Sequence, residues 1–179
     1  MLRAAAPLAM SLLLAACAAA ELVDSDQIDK NAAYVALTPR ITIGDKKPGY
    51  ADLSLICVDT NKSSHTFYLP STRNDQTVIV KTPPGACYLA GVKIPPSLST
   101  SFKPVTTAFE ARPDAINYAG DWQIEINPQV TVTIGAGYSD RSGIQGQVRQ
   151  DQATIAEIQR TFPRLSSKLP VVYTGPKES

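Results

Sequence analysis

The strongest constraint on this chain is that its apolar residues come in short, alternating, β-branched runs. Thr77-Val78-Ile79-Val80 and Val130-Thr131-Val132-Thr133-Ile134 are β-branched throughout. Such residues suit a pleated, half-buried surface and lose rotamer freedom in a helix. Leu53, Leu55 and Cys57 recur with period two, and Ile56 and Val58 fill the alternate positions. That run is expected to be a strand buried on both faces. Further strand-like runs are Tyr34 to Leu37, Ile41 to Ile43, His65 to Leu69, Cys87 to Ile94, Thr106 to Ala111 and Val171 to Tyr173. Ile116 to Ile126 makes another, with a kink expected at Gly120. The chain's 14 prolines and 10 glycines fall largely between these runs. Pro48-Gly49 and Pro83-Pro84-Gly85 read as turns. Pro95, Pro96 and Pro104 frame a Ser/Thr-rich stretch that reads as an exposed loop.

Only one segment carries a persuasive helical period. Ile155, Ile158 and Phe162 stand at i, i+3 and i+7, Asp151 is placed to cap the start, and Pro163 closes the end. Many short strands and a single helix predict a mainly β chain. The expected architecture is an antiparallel β-sandwich with one C-terminal amphipathic helix, forming a single domain over 32–179.

The N-terminus has a different character. Arg3 is followed by an apolar stretch, Ala4 to Ala16, interrupted only by Pro7 and Ser11. A bilayer-spanning helix needs about 20 apolar residues, so this stretch is too short to be one. It ends in Leu14-Ala15-Ala16-Cys17, which resembles the lipobox of bacterial lipoproteins. The resemblance implies that 1–16 is a signal peptide, that cleavage falls before Cys17, and that Cys17 is lipidated. Two or more acyl chains hold a protein stably on a membrane, whereas one holds it reversibly. Ala18, at the second mature position, implies onward transport to the outer membrane, with the protein facing the periplasm. The competing reading is an ordinary signal peptide cut after Ala18-Ala19-Ala20. Residues 17–31 then read as an acylated N-terminus and flexible tether, kept wet by Asp24, Asp26 and Asp29. The spacing of those acids lacks the glycine and closing glutamate of a calcium loop.

Without Arg3 the acidic and basic side chains balance. No excess of positive charge is available to neutralise phosphates, which argues against a nucleic-acid partner. The expected partners are the lipid bilayer, through acylated Cys17, and another envelope protein. Export to an oxidising compartment makes Cys57 and Cys87 a candidate disulfide; the alternative is two buried thiols acting as small hydrophobes.

Catalytic patterns are missing from the sequence. Gly137-Tyr138-Ser139-Asp140-Arg141 begins like a nucleophile elbow but lacks its second glycine. The single histidine, His65, follows Ser63 and Ser64, yet neighbours on a strand point to opposite faces. One histidine does not suggest a metal site. Asp121 and Glu125 are too far apart along a strand for a glycosidase pair and read as solvent-facing acids. The glycines from Gly135 to Gly146 do not have nucleotide-binding spacing. No catalytic residue, metal or cofactor is therefore assigned. Tyr88, Tyr118 and Trp122 either fill the core or line a groove facing a ligand.

Thr82-Pro83-Pro84-Gly85-Ala86-Cys87-Tyr88 resembles the Pro-Gly-x-Tyr strand start of transthyretin-like and carboxypeptidase-regulatory-like sandwiches. Phe109 and Ile116 to Asp121 are similar to a stretch in small bacterial lipoprotein domains of unknown function. The resemblance spans Thr82 to Ile126 and implies a fold without a chemistry. Together these features lead to the expectation of a non-enzymatic envelope lipoprotein that serves as a binding or structural module. The alternative is a lipoprotein that binds a small ligand or glycan in an aromatic groove.

Overall fold

A computed structural model describes residue 24 and residues 27–94, 98–101, 108–126 and 144–175. Cys17 and the expected strand Val130 to Ile134 lie outside the described residues. Among the described residues, ten strands and two helices follow in chain order: β1 (Ala33–Ile43), β2 (Tyr50–Asp59), β3 (Ser64–Arg73), β4 (Val78–Thr82), β5 (Gly85–Ile94), β6 (Leu98–Ser101), β7 (Ala108–Ala111), β8 (Ile116–Ile126), β9 (Ile144–Arg149), α1 (Gln152–Thr161), α2 (Pro163–Ser166) and β10 (Val171–Tyr173).

The strands form a two-sheet β-sandwich. The first sheet runs β10-β8-β1-β4, with β9 also on β8. The second runs β3-β2-β5-β6, with β7 also on β5. Each sheet has one long strand flanked by two half-length partners. β7 serves Gly85 to Tyr88 of β5, and β6 serves Gly91 to Ile94. In the same way β10 serves Ile116 to Tyr118 of β8, and β9 serves Asp121 to Ile126. The second sheet is antiparallel throughout, whereas β8 runs parallel to both β1 and β10. The first sheet is therefore mixed.

Several local expectations need correction. The Ser/Thr-rich stretch forms β6 and pairs with β5, so it is not simply a loop. β9 was not anticipated, because Ile144-Gln145-Gly146-Gln147-Val148-Arg149 has few apolar residues and an internal glycine. Its pairing with β8 supplies order that its composition does not. Tyr34 to Leu37 and Ile41 to Ile43 belong to one strand that continues through Pro39. The Pro39 carbonyl accepts the Asp75 N–H at 2.7 Å, so its imino nitrogen also faces that edge, beyond the last β4 partner at Leu37. The missing donor therefore costs no ladder bond to β8. Ile56 and Val58 are only half-buried, so β2 is covered on one face.

Leu53, Leu55, Cys57, Leu89, Phe109, Trp122 and Ile124 belong to the core between the sheets. Cys57 and Cys87 are direct cross-strand partners, fully buried there and joined by a disulfide with their Cα atoms 4.0 Å apart. A second core lies on the outer face of the first sheet. Here Tyr34, Ile79, Ile116 and Tyr118 meet Ile158 and Leu165, with Ile155 and Phe162 packed alongside. All three members of the expected helical stripe thus dock on the sheet.

The Pro-Pro-Gly turn leads into β5 through a position that only glycine fills easily. Gly85 has φ +146°, and a Cβ there would meet the Val58 carbonyl oxygen at 2.1 Å. Gly85→Ala is expected to cost at least about 1–3 kcal/mol from backbone strain alone. Thermal unfolding checks this, and an unchanged midpoint would contradict it.

Candidate functional site

Two regions of the described residues stand out, a buried polar cluster and an exposed aromatic trough, and they differ in whether their groups are already committed. The first is a buried cluster made possible by a bulge in β8. Ala36 pairs with Tyr118 but Thr38 pairs with Asp121, so β8 contains one extra residue, next to Gly120 with φ +105°. The bulge reverses the alternation. Tyr118 and Asp121 come to share the helix-facing side, while Ala119 and Trp122 point between the sheets. Asp121 is consequently buried, contrary to the expectation of a solvent-facing acid, whereas Glu125 is exposed as expected.

Asp121 accepts from every side. Its Oδ1 takes the Tyr118 hydroxyl at 2.5 Å. Its Oδ2 takes Arg40 Nε at 2.7 Å and the Thr154 hydroxyl at 3.3 Å, and a second guanidinium nitrogen lies 2.5 Å away. A carboxylate offers about four lone-pair sites, and four donor contacts reach this one, three of them on Oδ2. Arg40 also reaches Asp75 at 3.4 Å and Asp151 at 3.9 Å. Burial pulls the Arg40 pKa down, but its bond and charge contacts with Asp121, helped by Asp75 and Asp151, outweigh that and leave it raised. Burial and the bond to Asp121 push the Tyr118 phenol far above its ordinary range. The cluster also fixes α1. Asp151 caps it by accepting the Ala153 N–H at 2.9 Å, and the Asp151 N–H donates to the Tyr118 hydroxyl at 3.4 Å. Through these bonds the cluster works as a clamp between strand and helix.

The raised phenol gives a pH prediction. An unfolded tyrosine loses its proton near pH 10, and the folded Tyr118 holds its proton to higher pH. The resulting stabilisation is complete below about pH 10 and is lost as pH rises from there through the folded pKa. Urea midpoints should therefore fall more steeply in alkali for the wild type than for Tyr118→Phe. Parallel curves would contradict the linkage.

His65 Nε2 lies 3.1 Å from Asp59 Oδ2, so the imidazole is held by a carboxylate of the adjoining turn. Asp59 Oδ1 also accepts the N–H groups of Asn61 and Ser63, both at 2.9 Å. The bond from His65, aided by these N–H groups, lowers the Asp59 pKa. This ring orders the β2–β3 turn.

The second region is the outer face of the second sheet, which none of the described helices covers. Two rows of side chains cross it. Tyr68, Ser54 and Gly91 are aligned on β3, β2 and β5. The next row contains Pro70, Asp52 and Lys93. Ser54 and Gly91 are small, so a trough of about 330 Å³ opens between Tyr68 and Pro70 on one side and Lys93 on the other. Tyr68 is 59 % exposed, the highest value among the described large hydrophobics. Asp52 and Lys93 are cross-strand partners and give the trough both an acceptor and a donor. Asp52 already uses Oδ1 to accept the Ser71 N–H at 2.9 Å.

Of the two readings for the aromatic residues, the geometry selects the core for Tyr118 and Trp122. Trp122 is buried between the sheets, where it meets Phe109 edge to face at 6.5 Å. Tyr118 is buried on the opposite side of the same sheet. The bulge at Gly120 separates them, so neither faces a ligand. Tyr88 is half-buried beside Ile56 on the second sheet, one row from the trough. Tyr68 was missed because His65 to Leu69 contains both Phe67 and Tyr68, and sequence alone does not say which faces inward. The signal available was Leu69, whose burial places Phe67 toward the core and Tyr68 outward.

The solvated-linker expectation is also corrected at Asp24, Ile28 and Asp29. Asp24 accepts the backbone N–H groups of Arg164 at 3.2 Å and Leu165 at 3.0 Å. Ile28 packs on the second core. Asp29 pairs with Lys81 at 2.8 Å, and its N–H donates to the Tyr34 hydroxyl at 2.9 Å. Among the described residues, no helix is long and apolar enough to cross a membrane. No protein-family model, curated protein or solved structure matches the chain.

Proposed function

We propose that the chain is an envelope lipoprotein, held on a membrane by acylated Cys17, whose β-sandwich serves as a non-enzymatic binding or structural module. Leu14-Ala15-Ala16-Cys17 supports the anchor. The observation that carries the binding role is the unequal covering of the two sheets. Helices close the outer face of the first sheet. The outer face of the second is left with an exposed tyrosine beside a trough. Its edge strand β3 also offers main-chain groups for strand addition, up to Pro70. Ala18 favours the outer membrane, with the domain in the periplasm.

Two measurements test the proposal. Mass spectrometry of the membrane-purified N-terminus should find a peptide starting at an acylated Cys17. A mature chain starting at a later, unmodified residue would sink the anchor. A photo-crosslinking residue placed at Tyr68 in cells should then give a discrete protein adduct, and one at exposed Gln159 should not. Equal labelling at both positions would remove the case for the second sheet as the binding face.

A second reading is favoured by the trough itself. An exposed ring beside a carboxylate and an ammonium group suits a hydroxylated small ligand, a glycan included. Tyr68 would take the role first considered for Tyr88, Tyr118 and Trp122. Saturable binding of soluble saccharides, abolished by Tyr68→Ala and accompanied by no protein adduct, would select this reading.

A further inference from the structure

The acyl anchor and the way the N-terminal segment is docked together restrict which side of the domain can face the bilayer. The chain enters across the outer face of the first sheet and is fastened there at successive points. Asp24 receives the first N–H groups of α2, Ile28 is packed into the second core, and Asp29 is paired with Lys81. From Cys17 to Asp24 even a fully extended chain spans at most about 25 Å, at about 3.3–3.6 Å per residue. Stacked sheets lie about 10 Å apart and a helix is about 10–12 Å across. The outer face of the second sheet is thus on the order of 20–30 Å from Asp24 through the body of the protein, and farther around it. A chain that must go around the domain cannot bring Cys17 to a bilayer lying on that face.

We infer that the anchor holds the α1–α2 layer toward the lipid headgroups and turns the outer face of the second sheet away from the membrane. The inference rests on the proposed lipidation of Cys17. This orientation brings exposed Arg160, Arg164 and Lys168 to headgroup level, with Glu157, and Asp24 and Asp151 at the helix starts, offsetting their charge. Tyr68 and the trough then face the periplasmic space, where a partner or ligand that is not embedded in the same leaflet can reach them.

The test uses the full acylated protein in vesicles of phosphatidylethanolamine and phosphatidylglycerol carrying a headgroup quencher. Arg160→Cys and Tyr68→Cys variants are labelled with one fluorophore while the Cys57–Cys87 disulfide is intact. Quenching at position 160 is expected to exceed that at position 68 several-fold. Equal quenching, or stronger quenching at 68, overturns the orientation. Two further proteins add Asp24→Ala to each labelled variant and release the chain back toward Ile28, so the difference should shrink while the fold persists. A difference unaffected by that change would overturn the role of the Asp24 contact. N-terminal mass spectrometry on the same samples separates the two failures. An acylated Cys17 with equal quenching rejects the orientation alone, whereas an unacylated chain rejects the anchor and the orientation with it.

Discussion

Asp121→Ala should destabilise the domain by about 3 kcal/mol, the lower end of the range for breaking a buried ion pair. The carboxylate is almost fully buried and accepts from Tyr118, Arg40 and Thr154. Removing it leaves a buried hydroxyl pair and a guanidinium without their main acceptor. The cost falls at the lower end because the Arg40 side chain is 35 % exposed and keeps Asp75 and Asp151. Glu125→Ala, four positions along the same strand but exposed, should change stability by no more than about 0.5 kcal/mol. Urea unfolding of a soluble chain beginning after Cys17 measures both. If Asp121→Ala and Glu125→Ala have equal midpoints, the clamp does not hold α1 to β8.

Ile158→Ala should cost about 2–5 kcal/mol, the usual range for truncating a fully buried aliphatic side chain. Ile158 has no exposed surface and lies among Tyr34, Tyr118 and Leu165. A helix of this length is marginal in water without such packing. Gln159 is exposed on the next position, and Gln159→Ala should be close to neutral. A midpoint for Ile158→Ala equal to that of wild type would mean that the helix does not dock through this residue. The two predictions probe successive turns of the same helix: the clamp fastens its first turn and Ile158 its middle, and Tyr118 touches both.

The fate of each expectation follows from how locally it was encoded. The sandwich class and the helix were legible because period and punctuation are local properties. β-branched runs between Pro and Gly leave strands as the main option, and one 3.6-residue stripe with a cap and a terminal proline specifies one helix. Cys57 and Cys87 each stand on the inward register of their runs, beside Leu55 and Leu89, so their shared core was also legible. Their direct pairing across adjacent strands was not, since it depends on the register between β2 and β5.

What only the tertiary structure decided are the features that depend on a second segment. Asp121 reads as a surface acid until the extra residue at Gly120 turns it toward α1 and Arg40 reaches it from β1. Tyr118 and Trp122 read as neighbours on one ribbon until that same bulge sends them to opposite faces. β9 and β6 become strands through partners that their own sequences do not name. Asp24 and Asp29 read as solvated linker until the N–H groups of α2 and the Lys81 ammonium donate to them. The sequence by itself determined the period of each element, because side-chain alternation is set by the local backbone. The tertiary structure decided which face each element buries and which face stays open, because burial is a property of pairs of surfaces brought together from distant parts of the chain.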